Sequence, residues 1–321
     1  MRETVPRKII LDCDPGHDDA MAIILAAGNP DISLQAITTV AGNQTLPKVT
    51  LNAQRVCTVA GITNVPVIAG CAGPLVRPLV VAPDIHGESG LDGPQWPEPT
   101  VPVTPGHAVD AIIDLVMAAG EGEMTLVPTG PLTNIAMAVR KEPRLVPRVR
   151  EVVLMGGAYT RGNVTPAAEF NIYVDPEAAD IVFSADWSVT MVGLDLTHQA
   201  RATSAVVDRI AALDTPVARM VVDLLHFFGS SYQQEQGFEA PPVHDPTAVA
   251  RVINPALVEC ADAFVAVETM GKWTAGMTVT DFRGKLGFPL AAHVATRLDF
   301  DGFWSLMIDA IAAVGQGAAV S

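Results

Sequence analysis

Short apolar runs alternate with segments of helical periodicity along most of this chain. The apolar runs predict strands at Lys8–Asp12, Leu34–Val40, Val67–Ala69, Thr125–Val127, Val152–Met155 and Val189–Gly193. The periodic segments predict helices at Ala20–Gly28, Leu46–Ala60, Ala108–Ala119, Pro131–Lys141, Pro176–Phe183 and Pro216–Phe228. Residues 70–105, rich in Pro and Gly, predict a long loop. This order predicts an α/β fold in one domain, residues 1–321, with a central, mostly parallel sheet flanked by helices on both faces.

Composition and charge limit the classes of partner. The formal net charge of −15 argues against nucleic acid, because phosphate binding needs clustered Lys and Arg. With 49% hydrophobic and only 17% charged residues, the chain can bury a large core. Its four cysteines form no metal-binding pattern. The sequence shows neither a signal peptide nor a membrane-spanning run, so we expect a cytoplasmic protein without a membrane partner.

The segment LDCDPGHDDA places four aspartates between a predicted strand and a predicted helix: Asp12, Asp14, Asp18 and Asp19. In a mostly parallel sheet, ligands bind where strands end and helices begin. A helix N-cap explains Asp18 or Asp19, but not all four residues. Carboxylates packed this closely need raised pKa values or a counter-cation. The segment therefore indicates a hard divalent cation, either Ca²⁺ or Mg²⁺.

Two later segments are candidates for the same edge of the sheet. In LVPTGPLTNIA, the main-chain carbonyl of Thr129 could face the cation, although for this segment taken alone an ordinary strand-to-helix turn is the favoured explanation. In VHDPTAVA, Asp245 comes just before a predicted helix, where a helix N-cap is the ordinary explanation. A packed or exposed side chain is the ordinary explanation for His244. These residues indicate a functional site only in combination with the other polar segments of the chain.

A third segment, GNVTPAAEFNIYVDPEAA, has the chemistry of a sugar-binding loop. Glu169 offers hydrogen-bond acceptors, Phe170 an aromatic surface and Asn171 an amide, and Asn163 lies in the same predicted loop. A hydroxyl-rich ligand needs this mixture of donors and acceptors. A surface loop leading into the next helix is the alternative.

Together these segments resemble the inosine-uridine preferring nucleoside hydrolase family. DCDPGHDDA resembles that family's DTDPGxDDA signature. The resemblance continues in order through AGN (Ala41–Asn43), IHGESGLDG (Ile85–Gly93), PTGPLTN (Pro128–Asn134), MGG (Met155–Gly157), EFNIYVDPEAA (Glu169–Ala179) and HDPTAVA (His244–Ala250). It covers nearly the whole chain. It implies a Rossmann-like nucleoside hydrolase fold and the hydrolysis of ribonucleosides to ribose and a free base.

The resemblance also implies the roles of individual residues. It implies one Ca²⁺ per subunit, bound by the carboxylates of Asp14, Asp19 and Asp245 and by the main-chain carbonyl of Thr129. Asp14 would be the general base that deprotonates the attacking water, and His244 the acid for the leaving base. The ribose hydroxyls would be bound by Asp18, Asn43, Asn163, Glu169 and Asn171, with His86 and His244 near the base. Similar proteins are mostly dimers or tetramers, so we expect a homo-oligomer.

The segment Phe227–Asp245 is expected to form a mobile wall beside the base. An arginine is expected near Gln236 in purine-tolerant members, and this chain has none at that position. Tyr232 and Gln236 are instead suited to hydrogen bonds with the carbonyl and imide edge of a pyrimidine, which favours uridine and cytidine. The alternative is that both side chains face solvent on a flexible loop.

Two other function classes remain open at this point. The run IILDCDPG has the Asp-x-Asp pattern of a haloacid-dehalogenase-like, Mg²⁺-dependent phosphatase, but Gly16 stands where that class requires Thr or Val. A non-catalytic nucleoside- or ribose-binding protein is the second alternative, although the residues expected for catalysis are present. The resemblance gives no role to Asp12 or His17, and Asp12 is expected to be a structural hydrogen-bonding partner.

Overall fold

Nine strands form one sheet in residues 5–316, the part of the chain that the computed structural model describes. They are β1 (Arg7–Cys13), β2 (Ile32–Thr39), β3 (Val67–Ala69), β4 (Met124–Pro128), β5 (Val149–Met155), β6 (Val189–Val192), β7 (Val258–Val267), β8 (Thr278–Asp281) and β9 (Ala292–Leu298). Their order is β3-β2-β1-β4-β5-β6-β9-β7-β8. All pairs up to β9 are parallel, and β7 and β8 are antiparallel additions, which confirms the mostly parallel sheet. The predicted domain limits, residues 1 and 321, lie outside the described residues.

Helices connect most of these strands. They are α1 (His17–Gly28), α2 (Leu46–Ala60), α3 (Pro83–His86), α4 (Ala108–Ala118), α5 (Thr133–Lys141), α6 (Phe170–Val174), α7 (Pro176–Phe183), α8 (Leu194–Thr197), α9 (Ser204–Ala211), α10 (Pro216–Gln236), α11 (Pro246–Ile253) and α12 (Phe300–Gly315). Two 3₁₀ helices, Pro143–Arg148 and Pro255–Leu257, complete the set in residues 5–316. Among these helices, none is both long enough and apolar enough to cross a membrane.

Most predicted elements agree with the structure to within a few residues, but α10 is longer than predicted. The sequence analysis ends this helix at Phe228, whereas it continues to Gln236. Tyr232 lies one turn after Phe228 on the same face and is 3% exposed, so burial of this face extends the helix through a polar sequence. Gly237 then ends the helix with a φ of 73°. No element was predicted for β7, β8, β9, α3, α6, α8, α9 or α12, and the short helix α3 interrupts the long loop predicted for residues 70–105.

The core lies on both faces of the sheet. β1 lies inside the sheet between β2 and β4, and its residues alternate between two clusters of buried apolar side chains, with Leu11 in one and Ile10 in the other. The cluster on the Leu11 face includes Trp304 of α12, and the cluster on the Ile10 face includes Ile135 of α5. Burial on both faces explains why β1 is a continuous apolar run rather than an alternating one.

The strand order reverses beside β1. The chain passes from β1 to β2 and β3 on one side, then returns to β4 on the other side. Such a reversal leaves a crevice at the carboxyl ends of the two strands that flank it. Asp14 follows β1 directly and Thr129 follows β4 directly, so the topology brings two predicted cation ligands to one crevice.

Gly28, the last residue of α1, permits close contact between α1 and α12. A Cβ atom at this position would lie 2.5 Å from the carbonyl oxygen of Ala310, a backbone atom that cannot rotate away. We expect Gly28→Ala to lower the free energy of unfolding by about 1–3 kcal/mol in urea denaturation. Gly73→Ala is the matched control, because a Cβ there meets no atom within 4 Å beyond its chain neighbours. Equal losses in both variants would contradict this explanation.

Candidate active site

A pocket opens at the carboxyl ends of β1 and β4, and the last turns of α10 form one of its walls. Its empty space, including the open mouth, is about 510 Å³. Twelve of its lining residues are predicted ones: Asp18, Asn43, His86, Thr129, Asn163, Glu169, Phe170, Asn171, Tyr232, Gln236, His244 and Asp245. Four apolar lining residues were not predicted as part of the site: Ala82, Ile85, Met155 and Phe228. From the sequence alone, an apolar residue that lines a pocket cannot be distinguished from one that lies in the core.

Asp14 is fully buried beneath this pocket. Its Oδ2 accepts a short hydrogen bond of 2.6 Å from the backbone N–H of Asn43. Its Oδ1 is also buried and accepts no hydrogen bond from the residues described. Two glycines make room for the carboxylate: a Cβ at Gly42 would clash with Oδ2, and one at Gly130 would lie 2.5 Å from Oδ1. The AGN and PTGP motifs therefore let two loops close around Asp14 and leave one of its oxygens available.

Asp19, in the first turn of α1, is fixed by three hydrogen-bond donors. Its Oδ2 accepts from the backbone N–H of Gly16 at 3.0 Å and from Nδ2 of Asn43 at 3.2 Å. Its Oδ1 accepts from the hydroxyl of Thr129 at 2.9 Å. Asn43 thus holds both Asp14 and Asp19, and the loop after β4 is tied to the same carboxylate.

Asp18, Asp19 and Asp245 each place a carboxylate oxygen within 4.8 Å of the others. Burial, together with the charge of Asp19, raises the pKa of Asp18 from its usual 3.8 to about 7. Burial and the charges of Asp18 and Asp19 raise the pKa of Asp245 well above its usual range. The side chains of Asp19 and Asp245 also contact each other as hydrogen-bonding partners. Two carboxylates can do so only when a proton or a cation lies between them.

This set of donors fits a hard divalent cation. Oxygen ligands are the ones that Ca²⁺ and Mg²⁺ prefer, and the free Oδ1 of Asp14 gains a partner when a cation lies beside it. The carbonyl of Thr129 accepts a hydrogen bond of 2.7 Å from Nδ2 of Asn171 and keeps a second lone pair. Three of these residues therefore line the floor of the pocket, namely Asp18, Thr129 and Asp245, and Asp14 and Asp19 lie buried close to them.

Glu169 lines the pocket and also forms the N-cap of α6. Its Oε2 accepts from the backbone N–H groups of Gly157 at 2.9 Å and Ile172 at 3.1 Å. Its Oε1 accepts from the backbone N–H of Asn171 at 2.9 Å. Burial raises the pKa of Glu169 to about 7. These three hydrogen bonds fix the orientation of the carboxylate at the pocket wall.

Two asparagines beside Glu169 offer different groups to a ligand. Nδ2 of Asn171 donates to the carbonyls of Thr129 at 2.7 Å and Met155 at 3.1 Å, so the atom left for a ligand is Oδ1. Oδ1 of Asn163 accepts from the backbone N–H of Phe170 at 3.0 Å, so the group left for a ligand is the amide nitrogen. The pair supplies one acceptor and one donor, as a sugar hydroxyl requires.

Both ring nitrogens of His244 have partners within the protein. Nε2 lies 2.6 Å from the hydroxyl of Tyr232, and Nδ1 lies 2.7 Å from the hydroxyl of Thr197. Burial lowers the pKa of His244 well below its usual range. The predicted acid therefore contacts the pocket together with Tyr232 rather than through a free ring nitrogen. The sequence analysis missed Thr197, which lies 47 residues before its partner and shares no motif with it.

His86 lines the pocket and is backed by His17. Their Nδ1 atoms lie 3.1 Å apart, and Nε2 of His17 lies 2.8 Å from the carbonyl oxygen of Asp92. The His17 ring stacks on Phe227 and Phe228, with centroid distances of 5.1 and 5.2 Å. Burial lowers the pKa of His17 to about 4 and that of His86 well below its usual range. His17, which has no role in the sequence analysis, thus holds a neutral His86 at the pocket wall.

The wall expected from Phe227–Asp245 is helical over its first ten residues. Tyr232 is 3% exposed, so the alternative in which it faces solvent is wrong for this residue. Gln236 lies at the end of α10, partly exposed at the mouth of the pocket. The wall therefore has a buried aromatic residue inside and an amide at its edge.

Asp12 does not line the pocket. Its Oδ1 accepts hydrogen bonds from the hydroxyl of Thr38 at 2.6 Å and from Nδ2 of Asn134 at 2.8 Å. Asn134 in turn accepts from the backbone N–H of Cys71 at 2.8 Å. Asp12 is thus a structural hydrogen-bonding partner, as expected, and it ties together the strands beneath the site.

Comparisons with known proteins agree with this geometry. The family model described as "Inosine-uridine preferring nucleoside hydrolase" matches residues 9–305. An inosine-uridine preferring nucleoside hydrolase from Crithidia fasciculata is 55% identical over 97% of this chain and 99% of its own length. The pyrimidine-specific ribonucleoside hydrolase RihA of Shewanella sp. (strain ANA-3) is 46% identical over 95% of this chain and 96% of its own length.

A solved structure gives the same result. The purine-preferring ribonucleoside hydrolase from Gardnerella vaginalis has a TM-score of 0.91 and 33% identity, with 97% of this chain and 100% of that chain covered. These matches bear out the resemblance in the motifs and the fold that it implies. They support neither the phosphatase alternative nor the binding-protein alternative.

Replacement of Asp18 should show how much its buried negative charge lowers the free energy of unfolding. Because its pKa is raised from 3.8 to about 7, Asp18 stabilises the cation-free protein fully below the lower value and loses that contribution as the pH rises towards the higher one. We expect Asp18→Asn to gain stability relative to wild type by roughly 1–2 kcal/mol between about pH 5 and pH 7. Urea denaturation with a chelator present measures this difference. The exposed Asp208→Asn is the control, and a difference independent of pH would contradict the assignment.

Proposed function

This chain belongs to the inosine-uridine preferring nucleoside hydrolase family, and we propose that it hydrolyses the N-glycosidic bond of uridine and cytidine to ribose and a free base. The observation that carries the proposal is one pocket with a floor of buried carboxylates and a wall with the Tyr232–His244 pair. Glycosidic cleavage builds positive charge on the ribose ring while negative charge grows on the departing base. The floor stabilises the first charge and the pair stabilises the second.

We propose one Ca²⁺ per subunit, held by the carboxylates of Asp14, Asp19 and Asp245 and by the carbonyl of Thr129. The clustering of buried carboxylates and the free Oδ1 of Asp14 support this assignment. A bound cation of this class lowers the pKa of a water molecule and orients it.

Asp14 acts as the general base in the proposed reaction. Without a cation, burial and the charge of Asp19 raise the pKa of Asp14 well above its usual range, so the cation is what keeps this carboxylate ionised and able to accept a proton. Oδ2 is held by the backbone N–H of Asn43, so Oδ1 is the oxygen left for the cation, and the second lone pair of this atom is left for the proton of the attacking water. The narrow space left by Gly42 and Gly130 keeps this oxygen in one position.

The ribose is bound by side chains whose own hydrogen bonds fix them in place. These are Asp18, Asn43, Asn163, Glu169 and Asn171, with Phe170 beside them at the wall. Oδ2 of Asp18 accepts from the backbone N–H of His244 at 3.2 Å, so this carboxylate is also oriented before a ligand arrives. Preorganised acceptors of this kind stabilise the ribose cation without further rearrangement.

The departing base receives a proton at the wall formed by Tyr232 and His244. Because Nε2 of His244 is 2.6 Å from the hydroxyl of Tyr232, the tyrosine is the direct donor and the histidine acts behind it. This modifies the role that the resemblance implies for His244, which is a direct acid. His86 lies near the base as a neutral ring.

The proposed preference for pyrimidine nucleosides is argued from the residues of the pocket wall and not from the family to which the chain belongs. The similar proteins include a pyrimidine-specific enzyme and a purine-preferring one, so the family alone does not choose between bases. Gln236 lines the pocket at its mouth and offers both a donor and an acceptor. The imide edge of uracil and the amidine edge of cytosine each need both, which supports a preference for pyrimidine nucleosides.

We also propose a cytoplasmic homo-oligomer, either a dimer or a tetramer. Free cysteines at all four positions support a reducing location. Exposed apolar side chains near the edge strand β8 support association: Met270 is 90% exposed, Trp273 78% and Phe288 56%.

Cation removal tests the proposed metal site. We expect a chelator to abolish release of free base and added Ca²⁺ to restore it. Ca²⁺ at about 100 times its dissociation constant should stabilise the folded protein by about 2.7 kcal/mol, measured as a shift in thermal unfolding. Asp245→Asn should lose this shift, and the exposed Asp110→Asn should keep it. Restoration by Mg²⁺ but not by Ca²⁺ would overturn the choice of ion.

A substrate panel tests the proposed reaction and its base preference. We expect release of free base from uridine and cytidine to exceed release from inosine, adenosine and nicotinamide riboside. Gln236→Arg should shift the ratio of kcat/KM values towards inosine by about tenfold, the value of one hydrogen bond. Gln233→Arg, on the exposed side of α10, is the control. A wild-type preference for inosine would overturn the assignment of Gln236.

A further inference from the structure

Thr197 is the innermost member of a hydrogen-bonded row that leads to the pocket. It is the last residue of α8, is fully buried and does not line the pocket. Its hydroxyl lies 2.7 Å from Nδ1 of His244, whose Nε2 lies 2.6 Å from the hydroxyl of Tyr232. Of these three side chains, His244 and Tyr232 reach the pocket. The row therefore has a buried end at Thr197 and a ligand-facing end at Tyr232.

Only one direction of hydrogen bonding satisfies the buried end of this row. Among residues 5–316, the hydroxyl of Thr197 has a single hydrogen-bonding partner, Nδ1 of His244. If Thr197 accepted from Nδ1, its own hydroxyl hydrogen would be buried without an acceptor, which is unfavourable. Thr197 therefore donates to Nδ1, and this leaves the ring proton of His244 on Nε2.

The position of that proton decides what Tyr232 can do. With the proton on Nε2, His244 donates to the oxygen of Tyr232, and the tyrosine O–H is free to point into the pocket. With the proton on Nδ1, Tyr232 would instead donate its hydrogen to Nε2. The pocket would then receive only an oxygen lone pair, which cannot protonate a leaving group.

We propose that Thr197 is a positioning residue that keeps His244 in the Nε2–H form, so that the hydroxyl of Tyr232 serves as the proton donor to the departing base. This inference rests on the proposed nucleoside hydrolysis. As the bond between the anomeric carbon and the base nitrogen breaks, the electron pair stays on the base. The base nitrogen takes the hydroxyl proton of Tyr232, and the Nε2–H of His244 stabilises the resulting phenolate. Tyr232 regains a proton from solvent after release of the base, as Asp14 returns the proton taken from the attacking water.

Paired variants of Thr197 test this role. Thr197→Val removes the hydroxyl at nearly constant volume, and Thr197→Ser keeps it. With uridine, we expect Thr197→Val to lower kcat by about 10- to 100-fold with little change in KM, and Thr197→Ser to stay within a few-fold of wild type. Thr190→Val is the control, because this buried threonine on β6 has a hydroxyl without a partner among the described residues.

A substrate with a good leaving group separates positioning from general damage. A 4-nitrophenyl riboside leaves as a stable phenolate and needs no proton, so Thr197→Val should cleave it within about threefold of wild type. An equal loss on uridine and on the nitrophenyl riboside would overturn the inference, as would full activity of Thr197→Val on uridine. If Thr197→Val does not fold, Thr197→Ala carries the same comparison.

The protonation of His244 can also be measured directly. In protein labelled with ¹⁵N-histidine, NMR of the wild type should show the proton of His244 on Nε2, and Thr197→Val should lose this preference. A wild-type proton on Nδ1 would overturn the inference. Failure of the proposed function is a different result, in which the wild-type enzyme releases no base from uridine or cytidine.

Discussion

Burial of like charges at the end of β1 is the constraint around which the site is organised. Asp14, Asp18, Asp19 and Asp245 are buried close together, and burial raises the pKa of each. Such a cluster needs protons or a cation to offset the repulsion between its charges. The neighbouring loops hold the carboxylates in place through the backbone N–H of Gly16, the amide of Asn43 and the hydroxyl of Thr129. The positive end of the α1 dipole also lies beside this charge.

The sheet brings the parts of the site together because its strand order reverses beside β1. The carboxyl ends of β1 and β4 supply the floor, the segment after β5 supplies Glu169 and Asn171, and α10 closes the outer wall. The floor and the wall have opposite tasks in the proposed reaction. Carboxylates stabilise the ribose cation, while the neutral pair Tyr232 and His244 supplies a proton to the base. One pocket can perform both tasks because the carboxylates and the Tyr232–His244 pair lie on different structural elements.

The sequence is sufficient to predict the floor but not the contacts behind the wall. Asp14 and Thr129 belong to strand-end motifs, whose position in a parallel sheet follows from the order of the elements. The pairs Thr197–His244 and His17–His86 are separated by 47 and 69 residues, and no local pattern marks them. The length of α10 was missed for a related reason. Its last turns have a polar sequence, and burial of Tyr232 against the rest of the fold keeps them helical.

In the proposed reaction, the residues that recognise the base and the residues that transfer a proton occupy different positions on the same wall. Tyr232 is buried and hydrogen-bonded to His244, which is hydrogen-bonded to Thr197, so a change at any of these positions alters the whole row. Gln236 lies one turn further along α10, partly exposed at the mouth, and takes no part in that row. In the proposed reaction, a substitution there would change which base edge is recognised without moving the proton donor. In the proposed reaction, recognition and proton transfer are therefore separated by a single helical turn.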